Sequence, residues 1–385
     1  MDTNIGNMVN EKTLRANRLL SFLCIGFLMV FMMAKPEPGW SATPQIEGGD
    51  TSSFAIKSDG TLWNWGRDVT QTLLTTPSQI GTDNNWVSIS VGMNHNIALK
   101  SDGTLWAWGS NAQGDLGIDS SDYTHVEYSP VQVGSDNTWI KIATGSARTV
   151  ALKSDGTLWT WGFGAQGMGD GTNTTRNAPV PVAGEGNWAS FASGNLHALA
   201  IKSNGTLWAW GNNTYGQIGD GTTTNRAAPV QIGTDNSWVM VAGGFYHSVA
   251  LKSDGTLWAW GQNTYGQLGD GTTTQSKTPK QIGTENTWVA IKCGRFYTLA
   301  LKADRTLWAW GQNLNGQLGD GTTTQRNSPV QIGSDRWIDI ATGAFHSMGI
   351  MSDGTLWTWG LNGSGQLGDN TYFDRTSPVQ IMPTY

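Results

Sequence analysis

Four of the five histidines stand three residues after a glycine, in the pairs Gly92/His95, Gly194/His197, Gly244/His247 and Gly343/His346. Imidazoles in a recurring frame are the raw material of a metal ring or of acid–base catalysis. Carboxylates recur as well. Asp170, Asp220, Asp270, Asp320 and Asp369 each follow a glycine-rich segment such as Gly266-Gln267-Leu268-Gly269, and clustered carboxylates are what a calcium ion takes as ligands. The same segment is glycine-rich enough to suggest a phosphate cradle, but the Gly-Lys-Ser/Thr ending is missing. Repetition weakens every one of these chemistries. A side chain repeated once per structural unit is spread around the fold, too far apart to share one ion at ligand distances of about 2 Å. We expect the histidines to be structural hydrogen bonders at a strand start, and the aspartates to stabilise turns through nearby N–H groups. His125 falls outside the frame and is expected to be exposed. Neither a Ser/His/Asp nor a Cys/His constellation can be assembled, so no enzyme, no cofactor and no metal are expected.

The units that would carry these residues are marked by Trp-x-Trp pairs: Trp63/Trp65, Trp106/Trp108, Trp159/Trp161, Trp208/Trp210, Trp258/Trp260, Trp308/Trp310 and Trp357/Trp359. A period near 50 residues identifies a repeat architecture. Residues 238–283 give the clearest copy. WVMVAGG reads as a short apolar strand, FYHSVALK as a second, TLWAWG as a third, and Pro279-Lys280-Gln281-Ile282 as a short fourth strand opened by its proline. Asp254-Gly255 predicts a two-residue type I′ turn between the second and third strands. Alternation along these strands leaves both faces largely apolar, so each small sheet must be covered on both sides. Four antiparallel strands repeated seven times, each sheet covering the next, predict an all-β fold, a seven-bladed β-propeller closed into a ring. Copy 1 lacks the Gly-Gln-Leu-Gly-Asp-Gly segment, copy 2 carries a few extra residues around Asp119–Ser129, and Arg305 replaces the turn glycine in copy 6.

Charge and the N-terminus narrow the function classes. The full chain carries −6, and residues 1–34 are net positive through Lys12, Arg15 and Arg18 against Asp2 and Glu11, leaving the remainder at −7. An acidic domain is poorly suited to a phosphate backbone, so no nucleic acid is expected. The basic residues precede an uncharged apolar run, residues 19–34, which reads as an export signal or an uncleaved membrane anchor. We therefore divide the chain into 1–42, an export or anchor segment with linker, and 43–385, the propeller. The expected location is secreted or in the cell envelope, with membrane contact only through that segment. Cys24 lies in the apolar run, which leaves Cys293 as the one thiol of the propeller, read as a small buried filler.

The combination G-x-x-H-x-x-A-L, D-G-x-L-x-x-W-G and N-x-x-G-Q-L-G-D-G resembles the repeat of the regulator of chromosome condensation family. Here it is carried by Gly244, His247, Ala250, Leu251, Asp254, Gly255, Leu257, Trp260, Gly261, Asn263 and residues 266–271. The resemblance spans residues 43–385 and implies a seven-bladed propeller. Its functional implication is divided. Name-giving members exchange guanine nucleotide on the small GTPase Ran and dock on chromatin, one plant branch senses ultraviolet-B light, and a bacterial branch includes a secreted propeller that inhibits β-lactamases. Exchange would need a protruding wedge, and the short insertion around Asp119–Ser129 is unlike one. Photoreception would need tryptophan just after the repeated glycine, where this chain has none. A shared propeller does not settle the matter, so function must be sought in sites.

The residues free to vary inside the fixed frame are the best candidates for a site. The two positions after the repeated glycine read Met93-Asn94, Ser146-Ala147, Asn195-Leu196, Phe245-Tyr246, Arg295-Phe296 and Ala344-Phe345. All fall in the turn between the first and second strands, on one rim. Aromatic and arginine residues are enriched at interface hot spots. The expected partner-binding set is Phe245, Tyr246, Arg295, Phe296, Phe345, Met93, Asn94 and Arg148, with Tyr215 and Tyr265 from the loop before Gly-Gln-Leu-Gly. The competing reading is that these aromatics plug the crevices between blades. We expect a non-enzymatic, monomeric scaffold for a protein partner. A nucleotide exchange factor or an enzyme acting on an extracellular glycan is the alternative.

Overall fold

The computed structural model describes residues 43–382, so the expected export segment, residues 1–42, lies outside the described residues. The described residues form seven antiparallel sheets, each built from four consecutive strands. All sheets are in phase. Blade 1 runs through Gln45–Gly48, Ser52–Ile56, Leu62–Arg67 and Leu73–Gln79, and blade 7 through Trp337–Thr342, His346–Met351, Leu356–Gly360 and Arg375–Met382. Among the described residues no strand is exchanged between the two ends. First strands of all neighbouring blades touch, including blade 7 with blade 1, so they line the axis of a closed ring. The seven-bladed, four-stranded propeller expected from the period is the observed fold.

Each interface follows one rule. In blade 5, Val249, Leu251, Leu257, Ala259 and Leu268 are buried against Trp288, Ile291, Ala300 and Trp310 of blade 6. Blade 7 meets blade 1 in the same way, with Met348, Ile350 and Leu356 against Ile46, Ala55 and Trp65. Both faces of the second and third strands of each blade are therefore core, which is why those strands lack a polar face. A buried tryptophan removes roughly 150–250 Å² from water, on the order of 4–6 kcal/mol. The second glycine of the loop segment makes room for that ring. A Cβ on Gly269 would stand 2.7 Å from Trp310 Nε1, and one on Gly368 would stand 2.8 Å from Trp65 Cδ1, across the closure.

Two local expectations need correction. The hairpin between second and third strands is not a two-residue type I′ turn, because only Gly255 has positive φ (81°). Gly255 N–H donates to Lys252 O at 2.9 Å and Lys252 N–H to Thr256 O at 3.1 Å, which closes a three-residue loop ending in a glycine bulge. Asp254 decides the geometry. Its Oδ1 accepts from Thr256 N at 2.9 Å and Thr256 Oγ1 at 2.7 Å, and Thr256 Oγ1 accepts from Trp258 Nε1 at 3.0 Å. Arg305 adopts the same left-handed conformation at φ 68° without being glycine. The fourth strand, Ser276–Gln281, starts three residues before Pro279. Its register slips between Ala259 and Gly261, and this outer-edge irregularity tolerates the missing proline N–H.

One device escaped the motif reading. Lys252, at the end of the second strand, sits 3.9 Å from the Trp258 ring centroid and 4.8 Å from that of Trp238, with its Nζ on Asp235 Oδ2 at 2.5 Å. Lys100, Lys153 and Lys302 repeat the arrangement. The stem covers indole surface while the charge keeps a carboxylate partner.

Candidate functional site

The histidines are interblade struts. His247 Nε2 lies 3.2 Å from Thr298 Oγ1 of blade 6, and Thr298 Oγ1 donates to Gln267 O at 3.1 Å. That hydroxyl has spent its proton, so it accepts from an Nε2–H, and the imidazole is the neutral Nε2–H tautomer. His197 meets Ser248 at 3.0 Å and His346 meets Ser53 at 2.8 Å in the same way; His95 meets Thr149 at 3.1 Å. Burial pulls their pKa values down to about 4 for His95 and His346 and about 3 for His197 and His247. The Cε1–Nδ1 edge of the ring abuts the repeated glycine, so a Cβ on Gly244 would collide with His247. The G-x-x-H spacing is thus a packing unit. His125, outside the frame, lies in the blade 2 loop with Nε2 2.7 Å from Glu127 Oε1.

The loop aspartates are turn-formers. Asp270 Oδ1 accepts from Thr272 N and Oγ1 at 3.0 and 2.8 Å, and its Oδ2 pairs with Lys280 at 2.6 Å. Asp170, Asp220, Asp320 and Asp369 pair instead with Arg176, Arg226, Arg326 and Arg375. Asn263 ties the loop shut, with Nδ2 reaching Thr272 O and Thr274 O and Oδ1 accepting Leu268 N–H. Among the described residues no group of three or more His, Cys, Asp or Glu side chains is placed to hold a metal ion. Cys293 is half-buried and free, with its thiol pushed up to about 12 by desolvation.

The variable turn residues converge. The main chain of each turn is fixed by its neighbours: Phe245 N–H donates to Arg295 O of the next blade, and Tyr246 O accepts from Gln262 N–H. Side chains are what the frame leaves free. Tyr215 packs on Tyr246 with ring centroids 4.9 Å apart, Tyr246 on Phe245 at 4.6 Å, and Phe245 on Phe296 at 5.8 Å. Tyr265 meets Phe296 at 5.3 Å. Arg295 lies among them, its guanidinium carbon 4.3 Å from the Phe245 centroid, 5.4 Å from Phe345 and 5.7 Å from Phe296. Seven of the ten expected site residues therefore form one continuous patch from blade 4 to blade 7, each half-buried. Neither a fully buried plug nor a free surface describes them.

Arg295 is electrostatically unusual. Its Nε is buried without a hydrogen-bond partner, and it takes part in none of the ion pairs among the described residues. Asp50, which holds the equivalent turn position in blade 1, is the carboxylate in its field. Burial raises the Asp50 pKa, and Arg295 offsets part of that rise. Leu314 stands 67% exposed in the blade 6 loop.

Three expected residues fall elsewhere. Met93 and Asn94 are exposed on blade 2, outside the patch. Arg148 is corrected outright. At 1% exposure it is a core residue, with Nη1 on Gly167 O at 2.6 Å. It occupies the histidine column of blade 3, but its hydrogen bond stays within that blade and its Nε and Nη2 are buried without a partner, so it offers nothing to a partner protein.

Comparison with known proteins supports this architecture. The family model for the RCC1-like domain matches residues 31–338, and models of the regulator of chromosome condensation (RCC1) repeat match 337–366 and 353–384. Among solved structures, Prp20p from Saccharomyces cerevisiae, described with its binding properties to Gsp1p and histones, aligns with a TM-score of 0.74 at 20% identity, covering 91% of each chain. Yeast RCC1 (Prp20) bound by Kap60 aligns with a TM-score of 0.74 at 20% identity over 90% of this chain and 85% of that one. Human WBSCR16 aligns at 0.71 and 22% identity over 80% of this chain and 86% of its own. No curated protein matches significantly in sequence. At these identities the solved structures speak to the fold alone, whereas the family model covers most of the sequence: the chain belongs to the RCC1-like domain family.

Proposed function

We propose that this chain is an exported, non-enzymatic propeller that holds a protein partner on the rim formed by blades 4 to 7. The observation that carries the reading is Arg295, stacked among three aromatic rings with no ion pair and a buried Nε lacking a partner. A guanidinium held that way keeps its planar edge for a carboxylate or a carbonyl, and the surrounding rings supply apolar contact area. Aromatic and arginine anchors in a half-desolvated cluster are what an interface hot spot contains. Prp20 is described as binding proteins, which makes a protein-binding role for this propeller reasonable. Export rests on the basic and apolar N-terminal sequence.

A photo-crosslinking amino acid placed at Tyr265 tests the site in the producing cell, with the exposed outer residue Phe373 as control. The reading expects one protein adduct from position 265, absent from position 373 and lost on Arg295→Ala. Equal adducts from both positions, or adducts indifferent to Arg295, refute it. Recovery of the chain from the cytosol alone would remove the export element. Polysaccharide cleavage by the purified chain would favour the glycan-acting enzyme instead.

A further inference from the structure

The axis of the ring holds a second polar locus, separate from the rim. First strands bring four charged side chains to it: Glu47 from blade 1, Lys141 from blade 3, Lys292 from blade 6 and Asp339 from blade 7, each half-buried. Three of them form one wall. Lys292 Nζ donates to Glu47 Oε2 at 3.4 Å, and Asp339, whose Oδ1 accepts Ile340 N–H at 2.8 Å, lies in the field of the same ammonium.

Lys141 stands across the axis from that wall. Its Nζ donates to Ser190 Oγ of blade 4 at 3.3 Å and sits 5.3 Å from the Phe191 ring centroid. Unlike Lys292, it has no ion pair among the described residues. Burial, reinforced by the Lys292 ammonium, pulls Lys141 down to about 8. An ammonium has three N–H donors, and here a single hydroxyl takes one of them. The four charges sum to zero, so net charge does not call for a ligand; the arrangement does. Both carboxylates sit on the wall of Lys292, which leaves Lys141 as the axial cation without a carboxylate, half-buried, open to an incoming anion and in the field of the Lys292 ammonium.

We propose that the axial site binds a small oxyanion between Lys141 and Lys292, with the Ser190 hydroxyl as a further donor. A carboxylate or an inorganic oxyanion such as phosphate supplies the required chemistry, accepting from both ammonium groups at once.

The test follows amine reactivity in the full chain. The protein is pulsed with acetic anhydride at pH 8 in chloride, acetate or phosphate of matched ionic strength, and acetylation of Lys141 is compared with that of exposed Lys277 by peptide mass spectrometry. The inference expects phosphate, acetate or both to slow Lys141 saturably, by about tenfold at ten times the dissociation constant, with Lys277 unchanged. Protection by acetate alone identifies a carboxylate, and protection by phosphate alone an inorganic oxyanion. Identical Lys141 rates in all three salts, or equal slowing of Lys277, overturn it. Thermal unfolding gives a second readout: the protecting anion should raise the midpoint of the wild type and of Lys277→Met but not of Lys141→Met. A full rise in Lys141→Met also overturns the inference.

Discussion

Acidification probes the histidine struts directly. A buried imidazole with a folded pKa near 3 or 4 stays neutral at pH 5, whereas the same residue in the unfolded chain, near 6.5, is largely protonated. The unfolded state then binds more protons, so stability falls as pH drops below the unfolded value and goes on falling until the folded value is reached. Between pH 7 and pH 5 each such histidine forfeits about 2 kcal/mol, and the four together about 8 kcal/mol. Three carboxyls with raised pKa values, Asp50, Asp115 and Asp339, oppose this. Asp115, raised to about 7 by desolvation, and Asp339, raised to about 6, are more protonated in the folded state over the same interval. Asp115 and Asp339 return about 4 kcal/mol, and Asp50 adds to them, which leaves a net loss of at most about 4 kcal/mol. Asp136 and Asp235, held at about 2 by their lysine and hydroxyl partners, contribute only at lower pH. The assay is the urea midpoint of the wild type and of His247→Gln at both pH values. The variant should lose about 2 kcal/mol less than the wild type on acidification, whatever its stability at pH 7. Nitrogen NMR of the imidazoles at pH 5 should show neutral Nε2–H rings. An identical pH dependence in the two proteins, or protonated rings at pH 5 in the folded state, would refute the strut account.

Other substitutions test separate parts of the frame. Arg305→Gly should stabilise the chain by roughly 1 kcal/mol, read as a higher melting temperature, because it removes a side chain from a left-handed backbone position. Gly244→Ala should cost more than about 2 kcal/mol in chemical denaturation, since its methyl meets the His247 ring and stands 2.9 Å from Gly294 O; adding His247→Ala should recover part of the loss. Asn263→Ala should cost about 2–3 kcal/mol, because Thr272 O, Thr274 O and Leu268 N–H lose their shared partner. If Asn263→Ala leaves the urea midpoint unchanged, that loop is not held in the way described.

The sequence alone went furthest where a residue's role is local and repeated. Trp258, Trp260, Leu257 and Asp270 announce a blade because the same packing and turn problems recur in every copy. The half-buried rim patch was also legible, since Phe245, Tyr246, Arg295, Phe296 and Phe345 vary inside an otherwise fixed frame. Arg148 was misplaced for a related reason: its varying residue type looked like freedom, although its place in the histidine column marked it as core. The turn around Asp254-Gly255 shows a finer limit, because the dipeptide fits two hairpin geometries and the Asp254 carboxylate, bonded to Thr256 N–H and its hydroxyl, selects one of them. Only ring closure could reveal the axial group. Glu47, Lys141, Lys292 and Asp339 sit in four different first strands with no shared motif, and nothing in the linear order places blade 3 opposite blade 6. Periodic chemistry fixes what one blade is. The meeting of non-periodic side chains across the ring depends on how many blades close it, and that is a property of the tertiary structure.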